Sequence, residues 1–407
     1  MSILADHRLA ALLIFVATYA VIAVGKLPYA RIDRAGAALL GAALMVSFGV
    51  LSLKQAEAAV DLDTITLLLG MMIVVANLRV SGFFRIVTGF AVARARHPAL
   101  LLVAVVLVSG LLSAFLVNDT ICLVLTPLVL DVVLRLQRNP VPYLLGIAMA
   151  SNVGSTATIT GNPQNMIIGT LSGISYGRFA ASLAPVAAIG LVLTVLVIGA
   201  LWWREFFAGD RLSAEAPPTH VHRGVMLKTL AVTAALVIGL FAGFTPPKVA
   251  IVAGAVLLLT RAVKPEKVYA QIDWTLLLMF AGLFIVVAGL ERTWLTPPVV
   301  AAVGGLHLGD IASLSVVTAI LSNLVSNVPA VLVLRSFVAH LHDPQRAWLV
   351  VAMASTLAGN FTILGSVANL IVVQRARQAG VEVRFWTYFA AGAPLTVLTI
   401  LVGMSLL

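Results

Sequence analysis

Charge and cysteine are what this 407-residue sequence has least of. One residue in ten is charged, 26 Lys and Arg against 16 Asp and Glu, and Cys122 is the single cysteine. One thiol makes neither an internal disulfide nor a metal cage, so Cys122 reads as a packed structural residue and no metal site is expected. Scarce charge together with 61% apolar residues and a mean hydropathy of +1.08 excludes an ordinary soluble domain. Walker A and Rossmann fingerprints are missing, and no soluble stretch is long enough for a nucleotide domain, so no cofactor is expected. All seven histidines fall in loops or near the ends of apolar runs, which removes an intramembrane serine protease. Asp119 is the one aspartate placed deep in such a run, which removes an aspartyl protease. The chain therefore does not read as an enzyme. Its +10 charge suggests nucleic acid only until the basic residues are located: they lie in short loops, with no basic run interleaved with aromatics.

What is present is a succession of apolar runs of membrane-spanning length. Ten spans are predicted near residues 9–26, 35–53, 64–82, 143–170, 179–202, 226–244, 248–263, 272–290, 346–379 and 385–406. The stretches 99–137 and 310–341 read as hairpins of two shorter helices with a polar tip. The fold class is thus all-α and polytopic: about ten transmembrane helices plus two re-entrant hairpins. The N-terminus, MSILADHRLA, has no cationic start and no cleavage site, so the first span is expected to be retained.

Two segments are near copies. Residues 148–165 (AMASNVGSTATITGNPQN) and 352–369 (AMASTLAGNFTILGSVAN) align without a gap and share 8 of 18 positions. Both are polar and glycine-bearing interruptions of an apolar run, and a pair of such interruptions in corresponding positions of two halves points to a midplane binding site. The hydrophilic stretch 204–225 divides 1–203 from 226–407, and each side carries three spans, a hairpin, a broken span and a final span. Each half then crosses an odd number of times, so the repeats are inverted. Loops 26–34, 79–98, 135–142, 203–225, 261–272 and 375–384 face one side, which with Lys228 just beyond the fourth of them collects 19 of the 26 Lys and Arg residues. That side is predicted to be cytoplasmic, with both termini outside the plasma (bacterial inner) membrane.

The first hairpin tip places Asn118, Asp119 and Thr120 inside an apolar run with no cationic neighbour in sequence. An isolated carboxylate at depth is costly and is expected to bind a proton or cation; the competing reading makes Asp119 or Thr120 a helix cap. Asp131 is expected to pair with Arg135 one turn later. The second tip, which holds Ser326 and Asn327, matches the first through Ser322 to Ser113 and Asn327 to Asn118, but Val328 replaces the acid and Pro329 suits a first helical turn. In the first broken span, Gly154 and Gly161 allow unwinding, Asn162 caps, Pro163 starts a half-helix, and Ser151, Asn152, Ser155, Thr156, Thr158 and Asn165 supply neutral donors and acceptors. Gly359, Asn360, Thr362, Gly365, Ser366 and Asn369 do the same in the second. No cationic side chain is predicted near the tips.

At these motifs the chain resembles the ion transporter superfamily, which groups ArsB-type arsenite pumps, NhaD-type sodium/proton antiporters and divalent-anion/sodium symporters. The pattern SN-x-G-x-TAT-x-x-G-x-P-x-N at 151–165 is the specific part. The resemblance implies a substrate and coupling-ion site built from the tips and broken spans, homodimerisation, and movement by an elevator-like shift. The Asn118-Asp119 tip is closer to the ArsB branch, whereas Asn162 and Gln164 stand where relatives often have an acid and a second proline. The reading that follows is proton-coupled export of a small oxyanion or its neutral hydroxide form, arsenite or antimonite first. The alternatives are sodium-coupled symport of a dicarboxylate, sulfate or similar anion, and a passive channel. An accessory ATPase subunit would be needed for any ATP drive.

Overall fold

In the computed structural model, residues 2–24, 32–94, 97–207, 223–259, 263–294 and 307–407 are described. They form 20 α-helices and two 3-10 turns, with no strand among the described residues. The middle of the 204–225 divider, 208–222, lies outside the described residues.

The helices sort into two groups that cut across the two halves of the sequence. A frame is made by α1 (Ser2–Val24), α2 (Arg34–Ser47), α3 (Leu53–Ala59) and α4 (Leu62–Ser81) with α12 (Arg223–Phe241), α13 (Pro246–Leu258), α14 (Pro265–Tyr269) and α15 (Trp274–Trp294). Its closest pairings join the halves: α2 lies along α15 and α4 along α13. Small residues permit this. A methyl on Gly282 would meet the Ala38 backbone at 2.6 Å, and one on Gly70 would run into the Ala250 backbone.

The second group, the core, contains α6 (Pro98–Phe115), α7 (Asn118–Arg135), α8 (Pro140–Ser155), α9 (Pro163–Ser172) and α10 (Tyr176–Leu201), with α16 (Ile311–Val325), α17 (Asn327–Val338), α18 (Pro344–Ala358), α19 (Val367–Gln378) and α20 (Phe385–Leu406). Here α6 and α7 pack on α8, α16 on α18, α7 on α19, and α10 on α20. The hairpins 99–137 and 310–341 are therefore α6–α7 and α16–α17, and the broken spans are α8–α9 and α18–α19. The unwound stretch of each break holds a 3-10 turn, Ile159–Gly161 in one and Ile363–Gly365 in the other.

Among the described residues, six helices are long and apolar enough to cross a membrane: α4, α6, α10, α12, α15 and α20. Two boundaries differ from the sequence reading. The run 35–53 ends as a helix at Ser47, because the chain turns at Gly49 with φ +70. The expected loop 79–98 contains a 12-residue helix, α5 (Phe83–Arg94), packed on α6 and α7. Four arginines in that stretch, Arg79, Arg85, Arg94 and Arg96, hid it from a charge-based reading.

The two groups meet along a seam crossed by polar bridges. In the last turn of α15, Glu291 accepts from Arg335 Nη2 at 3.1 Å and from Ser336 Oγ at 2.5 Å on α17. Thr170 of α9 donates to Asp61 Oδ2 at 3.3 Å, beside the start of α4. Tyr19 of α1 adds a donor to the Pro329 carbonyl at 3.3 Å.

Candidate functional site

Where a helix breaks inside a protein, its freed N–H and C=O groups must find new partners. Two asparagines solve this in the same way. Asn165 Nδ2 donates to the carbonyls of Ser155 and Thr158, both at 3.0 Å, tying the end of α8 and the unwound stretch to the start of α9. Asn369 Nδ2 donates to the carbonyls of Gly359 and Thr362 at 2.7 and 3.0 Å. Each second half-helix is capped by the residue before it. Asn162 Oδ1 accepts from Asn165 N at 2.8 Å, and Ser366 Oγ accepts from Ala368 N at 3.2 Å.

The two breaks then interlock. Asn152 Nδ2 donates to Asn360 Oδ1 at 2.9 Å and Asn369 Oδ1 at 3.0 Å, while its Oδ1 accepts from Ser366 Oγ at 3.1 Å. Thr356, which aligns with Asn152, accepts from Asn162 Nδ2 and Gln164 Nε2, both at 3.1 Å, and donates to Asn165 Oδ1 at 3.4 Å. The two copies thus exchange equivalent bonds. Every side chain of this network is buried, Gln164 and Ser366 being the most exposed at 4%.

This network fixes the orientation of the first hairpin tip. Backbone carbonyls compel Asn369 to present its Nδ2 to them, so its Oδ1 faces Asn152. Asn152 must answer with Nδ2, which turns its Oδ1 toward Asn118. Asn118 therefore donates, Nδ2 to Oδ1 at 3.1 Å, and its own Oδ1 is left buried without a partner. Asn327 at the second tip also has a buried Oδ1 without a hydrogen bond. A buried acceptor left empty costs about 1–3 kcal/mol, so two of them at matched tips mark places for a donor or a cation.

Both tips border one cavity of about 40 Å³, lined by Asn118, Asp119, Gln164, Ser326, Asn327 and Ser366, with Pro163, Val328, Pro329 and Val367. The first turns of both second half-helices thus meet both tips there, bringing their free N–H groups and positive dipole ends to the cavity. The frame closes the other side through Ile22, Arg34, Leu276, Met279 and Phe280. Arg34 overturns the expectation that no cationic side chain lies near the tips. It is remote from them in sequence, and the pairing of α2 with α15 carries the N-terminal end of α2 to the cavity.

Several predicted site residues serve the scaffolding around the cavity. Ser151 Oγ donates to the Asn118 carbonyl at 3.2 Å and accepts from Ser113 Oγ at 3.1 Å, anchoring the first tip to α8. Ser155 and Thr156 both donate to the Asn152 carbonyl, and Thr158 to the Ala114 carbonyl of α6. Thr120 is outside the cavity lining. Neither Asp119 nor Thr120 caps α7. The helix starts at Asn118 after Val117, which makes no capping hydrogen bond, and Asp119 sits in the first turn. Gly154 and Gly161 do not supply positive φ; they supply room, since a methyl on either would overlap the Gly110 or the Ser155 carbonyl oxygen. The positive φ falls instead on Ser326, at +76 with ψ 159, a conformation nearly reserved for glycine. Asp131 and Arg135 pair as expected, at 2.9 Å and exposed. Reading the copy alignment one step further would have found Thr356, opposite Asn152; nothing local in the sequence marks Arg34.

The comparisons with known proteins agree with this architecture. A family model described as "Citrate transporter" (CitMHS) matches residues 14–358. The silicon efflux transporter LSI3 of Oryza sativa subsp. japonica is 29% identical over 94% of this chain and 94% of its own. The putative transporter arsB of Dictyostelium discoideum is 24% identical over 97% of this chain and 90% of its own. Among solved structures, the Alcanivorax borkumensis YdaH transporter, whose topology is described as unusual, superposes with a TM-score of 0.60 over 98% of this chain and 97% of its own, at 16% identity. With a shared fold, a matched model over most of its length and full-length relatives that are transporters, this chain belongs to the CitMHS citrate transporter family of the ion transporter superfamily: an integral membrane secondary transporter and not an enzyme.

Proposed function

We propose that this transporter exports a small oxyanion or its neutral hydroxide form, arsenite or antimonite first, in exchange for protons carried by Asp119. The observation that carries the reading is the polarity of the cavity: two buried asparagine oxygens with empty acceptor sites beside one carboxyl group. A neutral hydroxylated solute presents several O–H donors to those acceptors, and an ionised Asp119 accepts another. A proton on Asp119 removes that acceptor, so proton and solute compete for one place. Size supports a small solute. A water needs roughly 10–15 Å³ of such volume, so about 40 Å³ holds a few waters or one small oxyacid and not a tricarboxylate. The names of two relatives, a silicon efflux transporter and a putative arsB transporter, point the same way.

In this reading the halves 1–203 and 226–407 are inverted repeats, and the core slides against the frame. The cavity lies by the N-terminal ends of α2 and α15, which border the basic loops assigned to the cytoplasm, while the Glu291 clasp lies at the other end of α15. The conformation is then one that faces inward with its outer end held shut. Everted membrane vesicles carrying the protein test the reading: a pH gradient is expected to drive antimonite uptake that a protonophore abolishes and sodium does not alter. Asp119→Asn is expected to transport without pH dependence or not at all; a variant that keeps the full pH dependence removes the proton role.

A second reading, sodium-coupled symport of a dicarboxylate or similar anion, is favoured by Arg34 in the cavity wall and by the family's printed description. Sodium-dependent succinate or citrate uptake, with antimonite ignored, would establish it in place of the first.

A further inference from the structure

Arg34 is the one charged frame residue in the cavity wall, and Asp119 the one charged core residue. They belong to groups that meet only along the seam. Arg34 is half-buried, and no carboxylate lies within ion-pairing distance of it among the described residues. A partly desolvated guanidinium stays charged and attracts the nearest anion that can approach it. Asp119 faces the same 40 Å³ space, so its ionised form is the one side-chain anion in the wall of the cavity that Arg34 also lines.

The geometry points to Arg34 as the stationary counter-charge of the transport site: it favours the ionised form of Asp119 while the core sits against the α2 end of the frame, and is left behind when the core moves. The inference rests on the proton role given to Asp119 above and adds what makes that role depend on conformation. Facing inward, Asp119, which shares the cavity with Arg34, releases its proton and offers a carboxylate to the solute. Displaced from Arg34, the same carboxylate loses its counter-charge and takes up a proton before returning. Nothing else around Asp119 substitutes for Arg34. The cavity-facing ends of α9 and α19 carry amides and hydroxyls, α6 has no charged residue, and α5 meets α7 farther along, at Leu125 to Val132. Arg375 and Arg377 lie in the last turn of α19, away from Ser366 and Val367 at the cavity. Asp273, at the start of α15, is exposed and of the same sign as Asp119, and Cys122 is a buried thiol one turn along α7.

The test follows the protonated-carboxyl infrared band that Asp119→Asn removes, titrated in the purified full chain, so that no substrate need be known. In Arg34→Gln its midpoint is expected to rise, the direction set by losing an opposite charge that shares the cavity. Arg34→Lys should keep the midpoint near that of the parent protein, which separates lost charge from damaged packing. The pH of half-maximal antimonite uptake in everted vesicles should move in the same direction, and adding Asp119→Asn should erase the difference between the parent protein and Arg34→Gln. A midpoint unchanged in Arg34→Gln, or a shift that persists in the Asp119→Asn background, overturns the inference while leaving the transport reading intact. If Asp119→Asn removes no titrating band and keeps pH-dependent uptake, the proton role falls and this inference falls with it.

Discussion

Asn165 and Asn369 occupy matched positions in the two copies and make the same pair of bonds, each bridging a carbonyl at the end of one half-helix and a carbonyl in the unwound stretch that follows. An asparagine amide is suited to this, because its two N–H donors can serve two carbonyls while its oxygen remains free for a third partner. In both copies that oxygen reaches across to the other break, to Thr356 in one case and Asn152 in the other. The repair of each broken helix and the joining of the two are therefore done by the same side chain.

Asn152 should be the most sensitive residue of the network. Asn152→Ala strands the Asn118 amide and the oxygens of Asn360 and Asn369 in buried positions, each at about 1–3 kcal/mol before relaxation. A loss of several kcal/mol is expected, read as a large fall in melting temperature of the detergent-solubilised protein. A variant melting with the parent protein would show that water replaces the lost bonds.

Ser326 holds a backbone conformation that costs a non-glycine residue about 1–3 kcal/mol. Ser326→Gly is expected to raise thermal stability, and Ser326→Ala to leave it near that of the parent, because the Ser326 side chain makes no capping hydrogen bond. Equal melting temperatures for all three would mean that the tip relaxes out of this conformation.

Two ion pairs should respond differently. Asp131→Ala breaks an exposed pair and is expected to cost at most about 0.5 kcal/mol. Glu291→Gln weakens a half-buried clasp with two donors across the seam; its effect should appear in transport rate and in the balance of conformations more than in melting. A double-mutant cycle with Arg335→Gln that shows no coupling in transport would deny the clasp a part in the movement.

Glu205, in α11 (Trp203–Phe207) beyond the end of α10, has one carboxylate oxygen buried without a partner. Burial raises its pKa from the ordinary 4.5, only partly opposed by Arg138 and a hydrogen bond from the Asn139 backbone. A raised folded value means the native state binds the proton more tightly than the unfolded chain, so this group favours folding below about pH 4.5 and loses that contribution as pH rises through the folded value. Glu205→Gln is therefore expected to melt higher than the parent at pH 7, with the gap closing toward pH 4. A constant gap across that range would place the effect in packing.

Much of this was legible in the sequence because it depends on local chemistry. Asn162-Pro163 announces a cap and a first turn wherever the fold puts it, and the copied Thr158, Gly161 and Asn165 announce a second break of the same geometry at Thr362, Gly365 and Asn369. What stayed hidden depends on tertiary pairing. Arg34 looks like one more topogenic loop charge until α15 brings the start of α2 to the cavity. The glycines misled for the same reason: Gly154 and Gly161 advertise backbone freedom, but their lack of a side chain is used for the approach of Gly110 and Ser155. Whether Asp119 caps a helix or faces a cavity turned on one residue of register at Val117.

The pairing of α2 with α15 and of α4 with α13 also bears on how the protein is made. Helices emerging early on the ribosome, beginning at Arg34 and Leu62, have their main partners in segments that begin only at Trp274 and Pro246. Until α13 and α15 arrive, α2 and α4 must stay in the bilayer with their glycine- and alanine-lined faces against lipid or an insertion chaperone. Assembly of the frame is thus a late event of biogenesis, and a ribosome stalled between the halves leaves a stub that belongs to quality control and not to a smaller working transporter.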